Sequence, residues 1–345
     1  MALFHRPLPR TLEAALRDLK EKSVLVRRSA VQDLGRHARE QATSAIEEAL
    51  LEALRDDDPL VRTEAAYCLG DMKSKRALPL LLVTVDDANS LVRQAAIDAL
   101  GTIGDPQATG RLLRALEDER PDVRFQAVIA LGRISVDTGM DAVLRAVCDE
   151  DPHIRYIAVR VAEELVTKEL SPTDTASLPE RLVEQAKGWL EDEDAHVRLA
   201  AAILLGKCGD DAGAEHLLDA IEGRIFPMEP EDEAAAIELA GTLKLHQAIA
   251  GLERRAFGWK RWIKEQHVDT ARVALVRLGH QRARRAIVSD LRSWSRNQRT
   301  VAVTTAGQAG IREAIPLIEA MRGDHEQAVQ EAVDEALELL HARND

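Results

Sequence analysis

Between Asn89 and Arg133 one motif occurs twice, and its period constrains the fold more than any other feature of the chain. Leu91-Val92-Arg93, followed by Ala96 and Leu100-Gly101, returns as Asp122-Val123-Arg124 followed by Ala127 and Leu131-Gly132, an offset of 31 residues. A unit that short cannot bury its apolar face alone. It buries it against the next copy, so the period predicts an all-α array of stacked units rather than one closed core. Taking an arginine after Val or Ile as the anchor, copies stand at Arg27, Arg62, Arg93, Arg124, Arg155 and Arg198, at intervals of 35, 31, 31, 31 and 43 residues.

Each anchor carries the same helical face. Alanine follows at offset 3 (Ala30, Ala65, Ala96, Ala127, Ala158, Ala201), and Leu34, Leu69, Leu100, Leu131, Ala162 and Leu205 stand at offset 7. Offsets 0, 3, 4 and 7 share one side of a helix, and the alanine admits a close neighbour. Gly35, Gly70, Gly101, Gly132 and Gly206 at offset 8 are expected to end the helix in the left-handed conformation, with Glu163 breaking the series. A second helix is expected before each anchor, for example at residues 77–85, 108–117 and 140–148. Asp58-Pro59 and Asp151-Pro152 read as turns in which aspartate caps the incoming helix and proline takes its first position.

Beyond Arg198 the pattern weakens but persists in Leu239-Ala240-Gly241, Leu278-Gly279, Ala306-Gly307 and Gln330, which stands 31 residues after Arg299. Counting these copies predicts about ten helix pairs. The 43-residue interval places an inserted loop or hinge at residues 167–180, between N-terminal repeats at 1–166 and more divergent ones at 181–345, all in one continuous solenoid.

Composition narrows the function. Aromatic residues make up only 3% of the chain, so alanine and leucine must do the packing. The net charge of −13 argues against general affinity for nucleic acid or an anionic membrane. Three widely spaced cysteines, Cys68, Cys148 and Cys208, suit reduced thiols, and Cys68 and Cys148 are expected to be packed in apolar helices. With no apolar run of signal-peptide or membrane-spanning length, a cytoplasmic location is expected.

The repeated Val-Arg, Ala and Leu-Gly positions resemble the HEAT-repeat family, specifically the short bacterial repeats similar to those of phycobilin lyase subunits. The resemblance is strongest over residues 56–210 and extends in weaker copies along nearly the whole chain. It implies a right-handed α-α superhelix, a HEAT-like solenoid in which turn aspartates and anchor arginines form a ladder between neighbours. Asp58, Asp151 and Asp194 stand four residues before their arginines, while Ser23, Asn89 and Arg120 replace the acid elsewhere, so an incomplete ladder is expected.

The family also contains enzymes. A deoxyhypusine hydroxylase-like di-iron centre needs several His-Glu pairs, and this chain has one, His325-Glu326. His153 and His196 fall two residues before their anchors in adjacent repeats, roughly 10 Å apart by helix spacing, too far to share a zinc ion. No catalytic residue, metal site or cofactor is therefore assigned. The leading reading is a non-catalytic adaptor that binds a protein or peptide. Its rivals are a phycobilin lyase-like or DNA glycosylase-like enzyme and a nucleic-acid-binding module.

Two surfaces are expected to carry contacts. Offsets 1 and 5 flank the core face on the inner, concave wall, where the fourth to sixth repeats present Phe125, Ile129, Tyr156, Arg160, Leu199 and Ile203. An apolar strip of this kind suits a partner helix or peptide. The second surface is basic: residues 251–300 hold 13 Lys/Arg against 4 Asp/Glu, a net of +9 that leaves −22 for the remainder. Within it, Trp259, Lys260, Arg261, Trp262 and Lys264 form one group and Arg284, Arg285, Arg292 and Trp294 another. Tryptophan and arginine together favour a protein interface or self-association, and they can also stack on bases.

Overall fold

Several second helices of the repeats start at a side-chain cap. Asp58 accepts a hydrogen bond from the Leu60 amide (2.8 Å) and Asn89 from the Leu91 amide (3.0 Å). Pro59 and Pro121 occupy the first turn of their helices, where a missing amide hydrogen costs nothing. The computed structural model describes residues 10–169, 177–258, 267–323 and 327–342, and among these every regular element is helical.

Two compact units divide the chain, Met1–Thr175 and Ala176–Asp345. In the first unit the pairs are α1 (Leu12–Asp18) with α2 (Val24–Glu40), α3 (Ser44–Ala53) with α4 (Pro59–Asp71), and α5 (Leu78–Thr84) with α6 (Ser90–Ile103). They continue with α7 (Thr109–Ala115) and α8 (Pro121–Ile134), then α9 (Val136–Ala146) and α10 (Pro152–Glu169). The second unit pairs α11 (Ser177–Trp189) with α12 (Ala195–Lys207), α13 (Ala214–Glu222) with α14 (Pro230–Thr242), and α15 (Ile249–Phe257) with α16 (Val268–Arg277). Its last pairs are α17 (Gln281–Asp290) with α18 (Arg296–Ala309) and α19 (Ile315–Glu319) with α20 (Gln327–Ala342).

Within each unit the second helices form one layer. α2, α4, α6, α8 and α10 pack each on the next, as do α12, α14, α16, α18 and α20. The expected face is the buried one: Ala96, Ile97 and Leu100, like Ala127, Val128 and Leu131, have no exposed surface. Most first helices pack chiefly on the second helix of their own repeat, while α9 and α17 pack at least as closely on the second helix before them.

The offset-8 glycines do a different job from the one their position suggested. Gly70 and Gly101 lie in the last turns of α4 and α6 with helical backbone, not in the left-handed position that ends the helix. A Cβ on Gly70 would stand 2.8 Å from the Ala99 Cα, and one on Gly101 would stand 2.7 Å from the Ala130 Cα. Glycine is required because the next backbone lies against it. Left-handed residues come three positions later, at Gly104 (φ 71°) and Gly310 (φ 70°), and at Lys73 (φ 49°) and Lys244 (φ 59°).

The second helix of the fifth repeat runs on past its offset-8 position. α10 runs to Glu169 and α11 starts at Ser177, so both described ends of the 167–180 stretch are helical, while residues 170–176 lie outside the described residues. The cause is local. Glu163 replaces glycine at offset 8 and is buried beside Arg160, and Val161, Leu165 and Val166 prolong the apolar face.

Candidate functional site

The polar edge of the first unit carries a ladder without a gap over its first four anchors, built from an acid that the spacing argument passed over. Arg27 pairs with Asp56 (2.7 and 2.8 Å), Arg62 with Asp87 (2.8 and 2.9 Å), Arg93 with Asp118 (2.8 Å) and Arg124 with Asp149 (2.8 and 2.9 Å). Each acid stands six residues before the next anchor, not four. The aspartates four before, Asp58 and Asp151, are helix caps instead. The same guanidinium also reaches back to its own turn, as when Arg62 donates to the Asp56 and Asp57 carbonyls at 2.8 and 3.1 Å. Each of these four anchors thereby ties two successive turns together.

Partial burial pushes the Asp149 carboxyl up, but the Arg124 hydrogen bonds and the Asp151 amide outweigh it and hold the group below the ordinary carboxylate range. At α14 in the second unit the scheme changes sign. Glu233 takes the anchor position of α14, and Arg255 on α15 answers it at 2.6 Å while donating to the Ile221 carbonyl at 2.9 Å. These groups are scaffold, and their commitments leave them little capacity for a ligand.

The apolar strip divides. Phe125, Ile129 and Arg160 are half-buried. Tyr156 is only 5% exposed, Leu199 1% and Ile203 not at all, which corrects their expected exposure. The reason is breadth of hydrophobicity: α12 is apolar on every side from Leu199 to Leu205, and such a helix is covered all round. Phe125 borders a recess of about 400 Å³ lined also by Gln94, Asp122, Gln126, Asp151 and His153.

Of the basic surface, Trp259, Lys260, Arg261, Trp262 and Lys264 lie outside the described residues. In the described part, Trp294 is 95% exposed on the turn between α17 and α18. Arg299 holds that turn by donating to the Ser293 and Trp294 carbonyls at 2.9 and 3.1 Å. Arg285 and Arg292 are exposed, and Arg284 is half-exposed near Glu313. Arg282 lies over the Phe257 ring, 4.2 Å from its centre.

Exposed apolar side chains that were not singled out from the sequence include Phe226 (90%), Val83 (65%) and a series of leucines, Leu25 (73%), Leu60 (38%) and Leu91 (50%). The leucines share one position, two residues before successive anchors, so the repeat itself carried the signal. Among the described residues, no group of three or more His, Cys, Asp or Glu side chains is arranged to hold a metal ion. His196 is engaged with the Phe226 carbonyl at 2.9 Å.

The cysteines separate by environment. Cys68 is buried and its thiol is pushed up to about 12 by desolvation, whereas Cys148 is exposed, contrary to expectation, because it lies just past the end of α9. A maleimide at neutral pH is expected to label Cys148 first and to leave Cys68 untouched until denaturation, as mapped by peptide mass spectrometry. Labelling of Cys68 at the rate of Cys148 would contradict this burial.

Family comparison agrees with this architecture. The model for HEAT repeats matches residues 9–88, 47–123, 79–161 and 111–186, and that for the PBS lyase HEAT-like repeat matches 197–223. No curated protein matches the chain. Among solved structures, the YibA protein of Escherichia coli is similar at 18% identity, with 78% of this chain and 93% of that one covered and a TM-score of 0.52. The CpcE–CpcF complex of phycocyanin lyase from Nostoc sp. PCC7120 is similar at 21% identity, covering 73% and 96%, with a TM-score of 0.43. Human deoxyhypusine hydroxylase is similar at 19% identity, covering 96% of each chain, with a TM-score of 0.32. The HEAT-repeat matches together span more than half of the 345 residues, with the anchors, inward alanines and close-packed glycines of the first unit inside them, and the chain belongs to the HEAT-repeat family.

Proposed function

We propose that the protein is a non-catalytic adaptor that binds a protein partner, with the Trp294 turn as its principal contact. The observation that carries this reading is the presentation of Trp294: an indole 95% exposed, on a turn whose carbonyls Arg299 holds, beside exposed Arg285 and Arg292. Tryptophan and arginine dominate interface hot spots, and a pre-set backbone lowers the ordering cost of binding. The half-buried Phe125 and Ile129 and the recess beside Phe125 are a secondary contact in the first unit. Rigid repeats support such a role because each places its side chains at a fixed spacing from the next.

Affinity capture from the native extract with the wild-type chain and a Trp294→Ala variant tests the reading. A genuine partner is expected to fall by about thirtyfold with the variant, the loss that corresponds to a hot spot of about 2 kcal/mol, while the melting temperature is unchanged. Phe125→Ala is expected to weaken the same partner less. If no captured protein depends on Trp294, the reading fails; retention on DNA that collapses with salt would point to nucleic acid instead.

A further inference from the structure

The chain carries two exposed apolar features of opposite charge surroundings. In the second unit, Trp294 stands out from its turn with Arg285 and Arg292 exposed nearby. In the first unit, Leu60 and Leu91 begin α4 and α6, two helices that pack directly on each other. Their equivalent positions set them about one helix spacing apart, roughly 8–10 Å. The turns that lead into these helices and the next carry exposed acids, Asp57, Asp86 at 66% side-chain exposure and paired with Arg111, and Glu119 at 82%, together with exposed Arg55 and Arg120. Leu25 continues the row, but Lys20 and Lys22 are exposed beside it, so the acidic part centres on Leu60 and Leu91.

We propose that a second copy of this chain docks its Trp294 turn on the Leu60–Leu91 edge, forming a head-to-tail self-association. Charge complementarity selects this occupant. A chain of net charge −13 concentrates +9 in residues 251–300, and it offers an acidic-rimmed apolar edge elsewhere on itself. Apolar contact supplies the affinity, and the opposed rims supply orientation and encounter rate. Because the two surfaces differ, each contact leaves one of each kind free, and the association extends rather than closing at two molecules unless a ring forms. Self-association does not depend on any other partner, although it uses the same tryptophan as the adaptor reading.

Sedimentation velocity of the full chain at rising concentration tests this directly. The weight-average mass is expected to climb at low salt and to fall toward the monomer as salt rises from about 0.1 to about 1 M, where the screening length shrinks from ~10 to ~3 Å. Trp294→Ala alone and Leu60→Ser with Leu91→Ser alone are each expected to stay monomeric. Mixed together they should form a one-to-one dimer that grows no further, because each keeps the surface the other has lost. Asp57→Lys with Glu119→Lys, both on exposed side chains, is a second block that leaves the leucines in place and should also abolish growth. A wild-type monomer at every concentration, a dimer indifferent to both blocks, or a mixture that stays monomeric overturns the proposal. So does a Trp294 that captures another protein while never promoting self-association.

Discussion

Alanine at Gly101 is expected to cost about 2 kcal/mol, while the same substitution at Gly110 is expected to stabilise by about 0.4–1 kcal/mol. Both glycines are helical, in α6 and α7. At Gly110 nothing lies within 4 Å of the new Cβ, so only the gain in helix propensity is felt. At Gly101 the Cβ would stand 2.7 Å from both the Cα and the Cβ of Ala130, and backbone cannot rotate away. Ala130→Gly should therefore rescue Gly101→Ala only in part. Gly132 provides the contrast, because its obstruction is the Val161 side chain at 2.7 Å, so Val161→Ala should relieve Gly132→Ala more fully. Urea midpoints of these five variants measure this, and equal shifts at Gly101 and Gly110 would refute the close-approach role.

The error about these glycines shows what spacing alone can carry. The 31-residue period, the anchors and the inward positions were legible because burial imposes the same choice in every copy, as Ala96 and Ala127 show. A glycine after a leucine, however, has two physical explanations, helix end and close approach. The residue that decides between them is three positions on, where Gly104 and Lys73 have the positive φ. The ladder acid was legible but unread. Asp56, Asp87, Asp118 and Asp149 recur without a gap six before their anchors, whereas the position four before varies among Asp, Asn and Arg. The candidate surfaces were harder, because exposure depends on what packs from outside the repeat. Leu199 and Ile203 hold the same offsets as Phe125 and Ile129, yet the core of the second unit covers them. Trp294 stood out in the sequence by its type, but only the structure places its indole in solvent.

Removing the guanidinium of Arg124 with methionine is expected to destabilise the first unit by about 3 kcal/mol. The side chains of Arg124 and Asp149 are only 10% and 11% exposed, so methionine leaves a carboxylate with little access to water and two turns no longer tied together. The Asp151 amide still donates to Asp149 at 2.9 Å, which limits the loss. Asp149→Asn removes the stranded charge while keeping an acceptor for that amide, so the double variant should recover part of the cost, with a coupling of about 1–3 kcal/mol. The pH dependence carries a sign that a packing defect would not. The folded Asp149 carboxyl lies below its unfolded value near 3.9, so its stabilising contribution is complete above that pH and is lost as pH falls through the folded value. The gap between wild type and Arg124→Met should therefore be widest near neutral pH, narrow as acid protonates the stranded carboxylate of the variant, and reach its floor once pH has fallen through the folded wild-type value. Arg27 and Asp56 form the equivalent pair near the start of the ladder, with the Asp56 carboxyl likewise held low against its burial, and Arg27→Met should follow the same profile. A gap that stays constant through the acid range would mean that these arginines stabilise the turns through their carbonyl hydrogen bonds and packing alone.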